Sequence, residues 1–203
     1  MKDPSVSEHS KDDGAQTVSP EAERIDAEAL FRAHATFVAR FLQRLGAPLG
    51  DIDDGVQEVF LIAHRKGGYV AGAGKPRTWL GAIALRVASS TRRARIRRRE
   101  DGDELGLHAL ASSAHDPQRA FEARDSLERV QRALDALDLE HRATFVLYEI
   151  EGESCDSIAA SFDIPVGTVY SRLHHARRRF TEAYAALDAS NSNVTRARLA
   201  GNT

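Results

Sequence analysis

Residues 153–180, ESCDSIAASFDIPVGTVYSRLHHARRRF, decide the fold. Two apolar stripes at helical spacing flank a tight turn. Ile158, Ala159 and Phe162 line the first stripe, Asp163-Ile164-Pro165 turns the chain, and Val169, Leu173, Ala176 and Phe180 step by four, three and four along the second. Ser154 is a suitable cap for the first helix, and Pro165, having no amide proton, suits the start of the second. The segment therefore reads as a helix-turn-helix. Away from the second seam lie Thr168, Tyr170, Ser171, Arg172, His174, His175, Arg177 and Arg178, a face of hydrogen-bond donors without a carboxylate. Short polar residues near a helix start, followed by cations, suit base edges and phosphates in a major groove. The same pattern also fits an ordinary helical hairpin with a solvated basic face. His174 and His175 are adjacent and point apart, which is wrong for a metal pair.

Working outward, the rest of the chain is also helical in pattern. Leu30, Phe31, Ala33, Phe37, Val38, Phe41 and Leu42 form a first stripe that ends at Gly46-Ala47-Pro48. Asp51 or Asp53 can cap a second helix with Val56, Val59, Phe60 and Ala63 inward, closed by Gly67-Gly68. Tyr69 to Lys75 reads as a glycine-rich loop, and a third helix starts near Pro76, with Trp79 as a core anchor. A second helical set covers 127–137, 141–149, 155–162 and 166–185. The expected fold is all-α: two small helical domains, 25–100 and 127–186, joined by a flexible linker at 101–126. Residues 1–24 and 187–203 are expected to be a disordered arm and tail.

Composition restricts the function. The 203 residues are 42% apolar and 29% charged, the balance of a soluble globular chain. The net charge of −2 hides an asymmetry: 25–100 carries +7 and 101–126 carries −4, with six arginines in RRARIRRR at 92–99. Such a cluster attracts a polyanion. No run approaches a membrane span and no signal peptide opens the chain, so a cytoplasmic location is expected. With one cysteine, Cys155, and no metal-ligand spacing, no metal or other cofactor is expected. Cys155 reads as a small buried or capping residue more readily than as a redox-sensitive thiol. GAGK at 72–75 is no phosphate loop, because Tyr69 stands where the first glycine belongs and Pro76 replaces the magnesium-binding hydroxyl. No constellation for catalysis appears, and the chain is not expected to be an enzyme.

Two faces of the first domain remain. On the second helix Asp54, Gln57, Glu58, Leu61 and Arg65 lie off the buried stripe, a face that can dock a protein or simply be solvated. Tyr69, Lys75, Arg77, Arg86, Arg92, Arg93 and Arg95 combine an aromatic ring with cations, chemistry suited to single-stranded or melted DNA or simply to a solvated basic surface.

Three stretches together resemble the extracytoplasmic-function (ECF) group of the sigma-70 family. DIDDGVQEVFLIAHRK at 51–66 resembles the helix that grips the core polymerase clamp, with Asp54, Gln57 and Glu58 on the D-x-x-Q-E motif and Leu61 beside them. RTWLGAIA at 77–84 resembles the segment joined to recognition and melting of the minus-ten element, and IPVGTVYSRLHHARRRF at 164–180 resembles the minus-thirty-five reading helix. The resemblance implies a region 2-like domain that binds core polymerase and the minus-ten element, the latter through Lys75, Arg77, Arg86, Arg92, Arg93 and Arg95. It implies a region 4-like domain that binds the minus-thirty-five element through Thr168, Tyr170, Ser171, Arg172, His174, His175, Arg177 and Arg178. Core RNA polymerase (clamp and flap), promoter DNA and an anti-sigma factor are the implied partners, with the acidic linker in part of the RNA exit path. Gly55, Arg86, Tyr170 and His175 depart from the family's usual residues. No appended C-terminal domain and no N-terminal regulatory region of the housekeeping kind are expected. The rival is a helix-turn-helix regulator that binds an operator without core polymerase, which leaves DIDDGVQEVF and RTWL unexplained.

Overall fold

The computed structural model describes residues 24–72, 74–100 and 117–200. Most of the linker expected at 101–126, and residues 1–23, lie outside the described residues. Seven α-helices are present among the described residues: α1 (Ala27–Arg44), α2 (Ile52–Arg65), α3 (Pro76–Glu100), α4 (Pro117–Asp135), α5 (Leu139–Phe145), α6 (Cys155–Phe162) and α7 (Val166–Ala200). A 3-10 turn, Leu49–Asp51, precedes α2, and a π-helical turn, Val146–Ile150, extends α5.

Local chemistry starts and stops these helices. Asp26 caps α1 by accepting from Ala29 N at 2.8 Å, and Asp138 caps α5 by accepting from His141 N at 3.1 Å. Asp51 stands at the head of α2 without a side-chain capping bond, since the 3-10 turn already delivers the chain there. Gly68, at φ 86°, lies so close to the preceding strand that a Cβ would sit 2.3 Å from Ile25 O.

Three details depart from the sequence reading. Tyr69–Val70, expected as loop, pairs antiparallel with Arg24–Ile25 as a two-residue ladder, β1 (Arg24–Ile25) with β2 (Tyr69–Val70), so Arg24, placed in the arm by the sequence reading, belongs to a strand. Residues 117–126 are helical, Pro117 supplying a first-turn residue that needs no amide partner. Residues 187–200 continue α7, where no proline and no glycine before Gly201 interrupts the run.

The helices bury one continuous core. Leu30, Val38, Phe41, Leu42, Val59, Leu80 and Ile83 form its first-domain part, and Leu134, Val146, Leu147, Ile158, Val169 and Leu173 its second. Leu147 crosses between them: a Cβ on Gly81 would lie 3.2 Å from its Cδ2. The two domains thus pack through α3 against α5 and α6. Gly55 has a structural reason. A Cβ there would meet Leu42 Cδ1 at 2.9 Å, so glycine lets α1 and α2 approach closely.

Candidate nucleic-acid and protein-docking surfaces

The outer face of α2 follows from its inner one. With Val56, Val59, Phe60 and Ala63 buried, the 3.6-residue period turns Asp54, Gln57, Glu58, Leu61 and Arg65 outward, and all five are exposed. Leu61 is 48% exposed, a large apolar group in a ring of polar ones. Phe31, expected in the buried stripe of α1, is instead 47% exposed and meets Phe60 edge-on at 5.0 Å. It escaped the sequence reading because Leu30 beside it already fills that turn of the core. Glu58 and Arg65 are only loosely paired, at 4.0 Å.

The cations of α3 separate by face. Arg86 and Arg93, seven residues apart, line a cleft of about 310 Å³ with Arg172, Glu140, Phe162 and Ile164. Arg92 and Arg95 line a second cavity of about 370 Å³ with Asp135 and Arg142. Lys75 and Arg77, at the start of the helix, are held by acids of the second domain: Lys75 Nζ lies 3.4 Å from Glu153, and Arg77 pairs with Glu151 while its guanidinium sits over the Phe37 ring. Tyr69, grouped in sequence with these cations, is buried; its hydroxyl donates to Gly74 O and its ring meets Trp79 edge-on. Trp79 itself is half-buried against the core.

In the helix-turn-helix, Ser154 caps α6 by accepting from Ser157 N at 3.2 Å. Asp163 takes the left-handed conformation (φ 55°) that ends α6, and Thr168 N donates to Pro165 O as α7 begins. Val169, Leu173 and Ala176 are buried, and Phe180 stacks on Phe145 at 4.9 Å. Tyr170, Ser171, His174, His175, Arg177 and Arg178 are exposed, and Thr168 is half-buried. Arg172 differs: its side chain is only 17% exposed and pairs with Glu140 of α5. Arg177 Nε donates to Glu149 Oε1 at 2.6 Å, which raises its pKa, and its guanidinium lies over the Tyr148 ring. Acids from neighbouring elements therefore reach a face whose own first three turns carry none.

Cys155 is buried at the head of α6. Burial first, and Asp156 second, push its thiol pKa up, which disfavours the thiolate needed for oxidation. Among the described residues no group of histidine, cysteine and carboxylate side chains is arranged to hold a metal, and no helix is long and apolar enough to cross a membrane.

With this geometry in hand, two family models match the chain: Sigma-70 region 2 over residues 30–99 and Sigma-70, region 4 over residues 127–180. The ECF RNA polymerase sigma-E factor of Escherichia coli K12 is 31% identical over 150 residues, covering 70% of this chain and 76% of that one. This chain belongs to the ECF sigma factors of the sigma-70 family. The RNA polymerase sigma-H factor of Pseudomonas aeruginosa PAO1 is 35% identical over 146 residues, covering 68% and 75%. The fold of this ECF sigma factor is shared by the sigma factor RpoE of Bartonella quintana, solved with the anti-sigma factor NepR, at a TM-score of 0.60 and 22% identity over 77% of this chain and 94% of that one. CnrH, solved with the cytosolic domain of CnrY, matches at a TM-score of 0.53 and 26% identity over 80% and 88%. The sigma factor family is not a family of enzymes.

Proposed function

We propose that this ECF sigma factor docks on core RNA polymerase through Asp54, Gln57, Glu58 and Leu61 of α2, with Phe31 as an apolar neighbour, and directs the polymerase to its promoters. Lys75, Arg77, Arg86, Arg92, Arg93 and Arg95 meet the minus-ten element. Thr168, Tyr170, Ser171, His174, His175, Arg177 and Arg178 meet the minus-thirty-five element, with Arg172 positioning α7 through Glu140. The polymerase performs the chemistry in the cytoplasm, and an anti-sigma factor, the kind of partner solved with the Bartonella quintana neighbour, is the restraining partner. The reading is carried by one observation: a single chain presents both an exposed acidic-apolar face on α2 and a helix-turn-helix with exposed donors on α7. An operator-binding regulator needs only the second.

A mobility shift on a promoter fragment, with and without core polymerase, separates the two. Free sigma factor should bind weakly, and core should tighten the complex by about a hundredfold, the upper range of coupling between two sites. Tight binding that core leaves unchanged would establish the regulator instead.

A further inference from the structure

A cavity of about 370 Å³ opens between the end of α1, the head of α2, the C-terminal half of α3 and the start of α5. Arg92 and Arg95 of α3 and Arg142 of α5 bring three guanidinium groups to its wall, against the carboxylates of Asp51 and Asp135. Arg142 is the most buried of the three, its side chain 5% exposed. Its Nη1 donates to Asp135 Oδ1 at 2.8 Å, while its Nη2 reaches Leu137 O only at 3.4 Å. The buried Nε has no hydrogen-bond partner among the described residues. Gly46, at φ 87°, makes room for this guanidinium, because a Cβ there would lie 2.8 Å from Nη1. Burial lowers the Arg142 pKa; Asp135 opposes the shift, and the Arg92 charge adds to it. Among the described residues neither Arg92 nor Arg95 is paired with a carboxylate. The cavity thus gathers positive charge that its own acids do not cancel, and buried charge in that state favours an added anion.

We propose that this cavity is a binding site for a free nucleoside monophosphate, with the phosphate among Arg92, Arg95 and Arg142 and the base against the apolar wall. Guanidinium forks match phosphate oxygens two at a time, and three of them converge here. The anion alone leaves half of the wall unused. Val87, Ala88 and Ile96 line the same space, and Ile96 is 48% exposed, a large apolar edge that a planar base can cover. Asp51 supplies the acceptor for an amino or hydroxyl group of the ligand, since it heads α2 without a side-chain capping bond. Convergent polar groups on an apolar wall, in a volume of this size, are the ordinary make-up of a small-molecule site. The site lies away from the α2 face and from α7, so it adds a ligand to those two surfaces.

Isothermal titration of the full chain with adenosine and guanosine monophosphates, at about 0.15 M salt to screen diffuse attraction, tests the site. At least one should bind saturably, one per chain, with Kd below about 1 mM. Inorganic phosphate and adenosine should each bind at least about tenfold more weakly, because each fills only half of the site. Arg92→Ala with Arg95→Ala should weaken the nucleotide by about tenfold or more, the loss expected when charge-assisted hydrogen bonds are removed. Arg97→Ala with Arg98→Ala removes the same charge from exposed positions of α3 outside the cavity and should leave the affinity within about twofold. Equal losses in the two pairs would overturn the proposal, since the attraction would then belong to the arginine cluster as a whole. No binding of either nucleotide, or inorganic phosphate binding as well as the nucleotide, would overturn it on the wild type alone, whatever the variants do to folding.

Discussion

Thr78 is a fully buried polar side chain, and its hydroxyl is spent on Lys75 O, Ser157 and Ser161. The sequence gives it only the character of a first-turn residue on a helix, because its partners lie about eighty positions away. Ser154 was legible as a helix start, since a cap bonds three residues along its own chain, and Asp26 caps α1 in the same way. Replacing Asp26 by alanine should cost about 1 kcal/mol of unfolding free energy in a urea titration. Gly68→Ala should cost more, above about 2 kcal/mol, because it adds a left-handed alanine to a backbone clash with Ile25 O. His34, half-buried, has its pKa lowered by burial and then by the Arg77 charge, with Glu153 opposing. Its folded pKa lies below the unfolded value near 6.5, so the unfolded chain binds the proton first as pH falls. Stability should therefore be full above about pH 6.5 and decline below it. Histidine-34 replaced by glutamine (His34→Gln) should flatten that slope in thermal melts; an unchanged slope would assign the loss to other groups.

At the scale of elements, α7 shows what periodicity reveals and what it does not. The buried seam Val169, Leu173 and Ala176 was readable from spacing, and with it the outward direction of Tyr170, His174 and Arg177. Arg172 was not separable from its neighbours, because only the approach of α5 brings Glu140 to it. The two kinds of arginine should behave differently. In promoter binding by the polymerase holoenzyme, Arg177→Ala with Arg178→Ala should weaken the complex and lower the slope of log affinity against log salt by about 2, one per phosphate contact. Arg172→Ala should leave that slope nearly unchanged and lower the melting temperature, since it strips Glu140 of its partner. On α2 the amphipathic pattern identified Asp54, Gln57, Glu58 and Leu61 as a face, while Phe31 emerged only once α1 and α2 were packed. The short ladder of Arg24–Ile25 with Tyr69–Val70 left no trace in the sequence, two residues being too few for alternation to register.

At the scale of the molecule, each apolar stripe announces that it is buried but not against which partner. The domains were legible as two helical groups; that they share one core through Leu147, Gly81 and the α3–α6 contact was not. Leu147 is fully buried at that junction, so Leu147→Ala should cost about 3 kcal/mol and loosen the two domains together, visible as faster amide exchange in both α3 and α6. The central claim, that the α2 face docks core polymerase and α7 then serves a promoter, is tested most directly by run-off transcription. Purified core polymerase would be supplied with wild type or with Gln57→Ala, Glu58→Ala on genomic fragments. Start-site-specific transcripts from wild type, lost in a variant that folds normally, are the predicted result. No specific transcript from wild type, with tight DNA binding in the absence of core, would contradict the account.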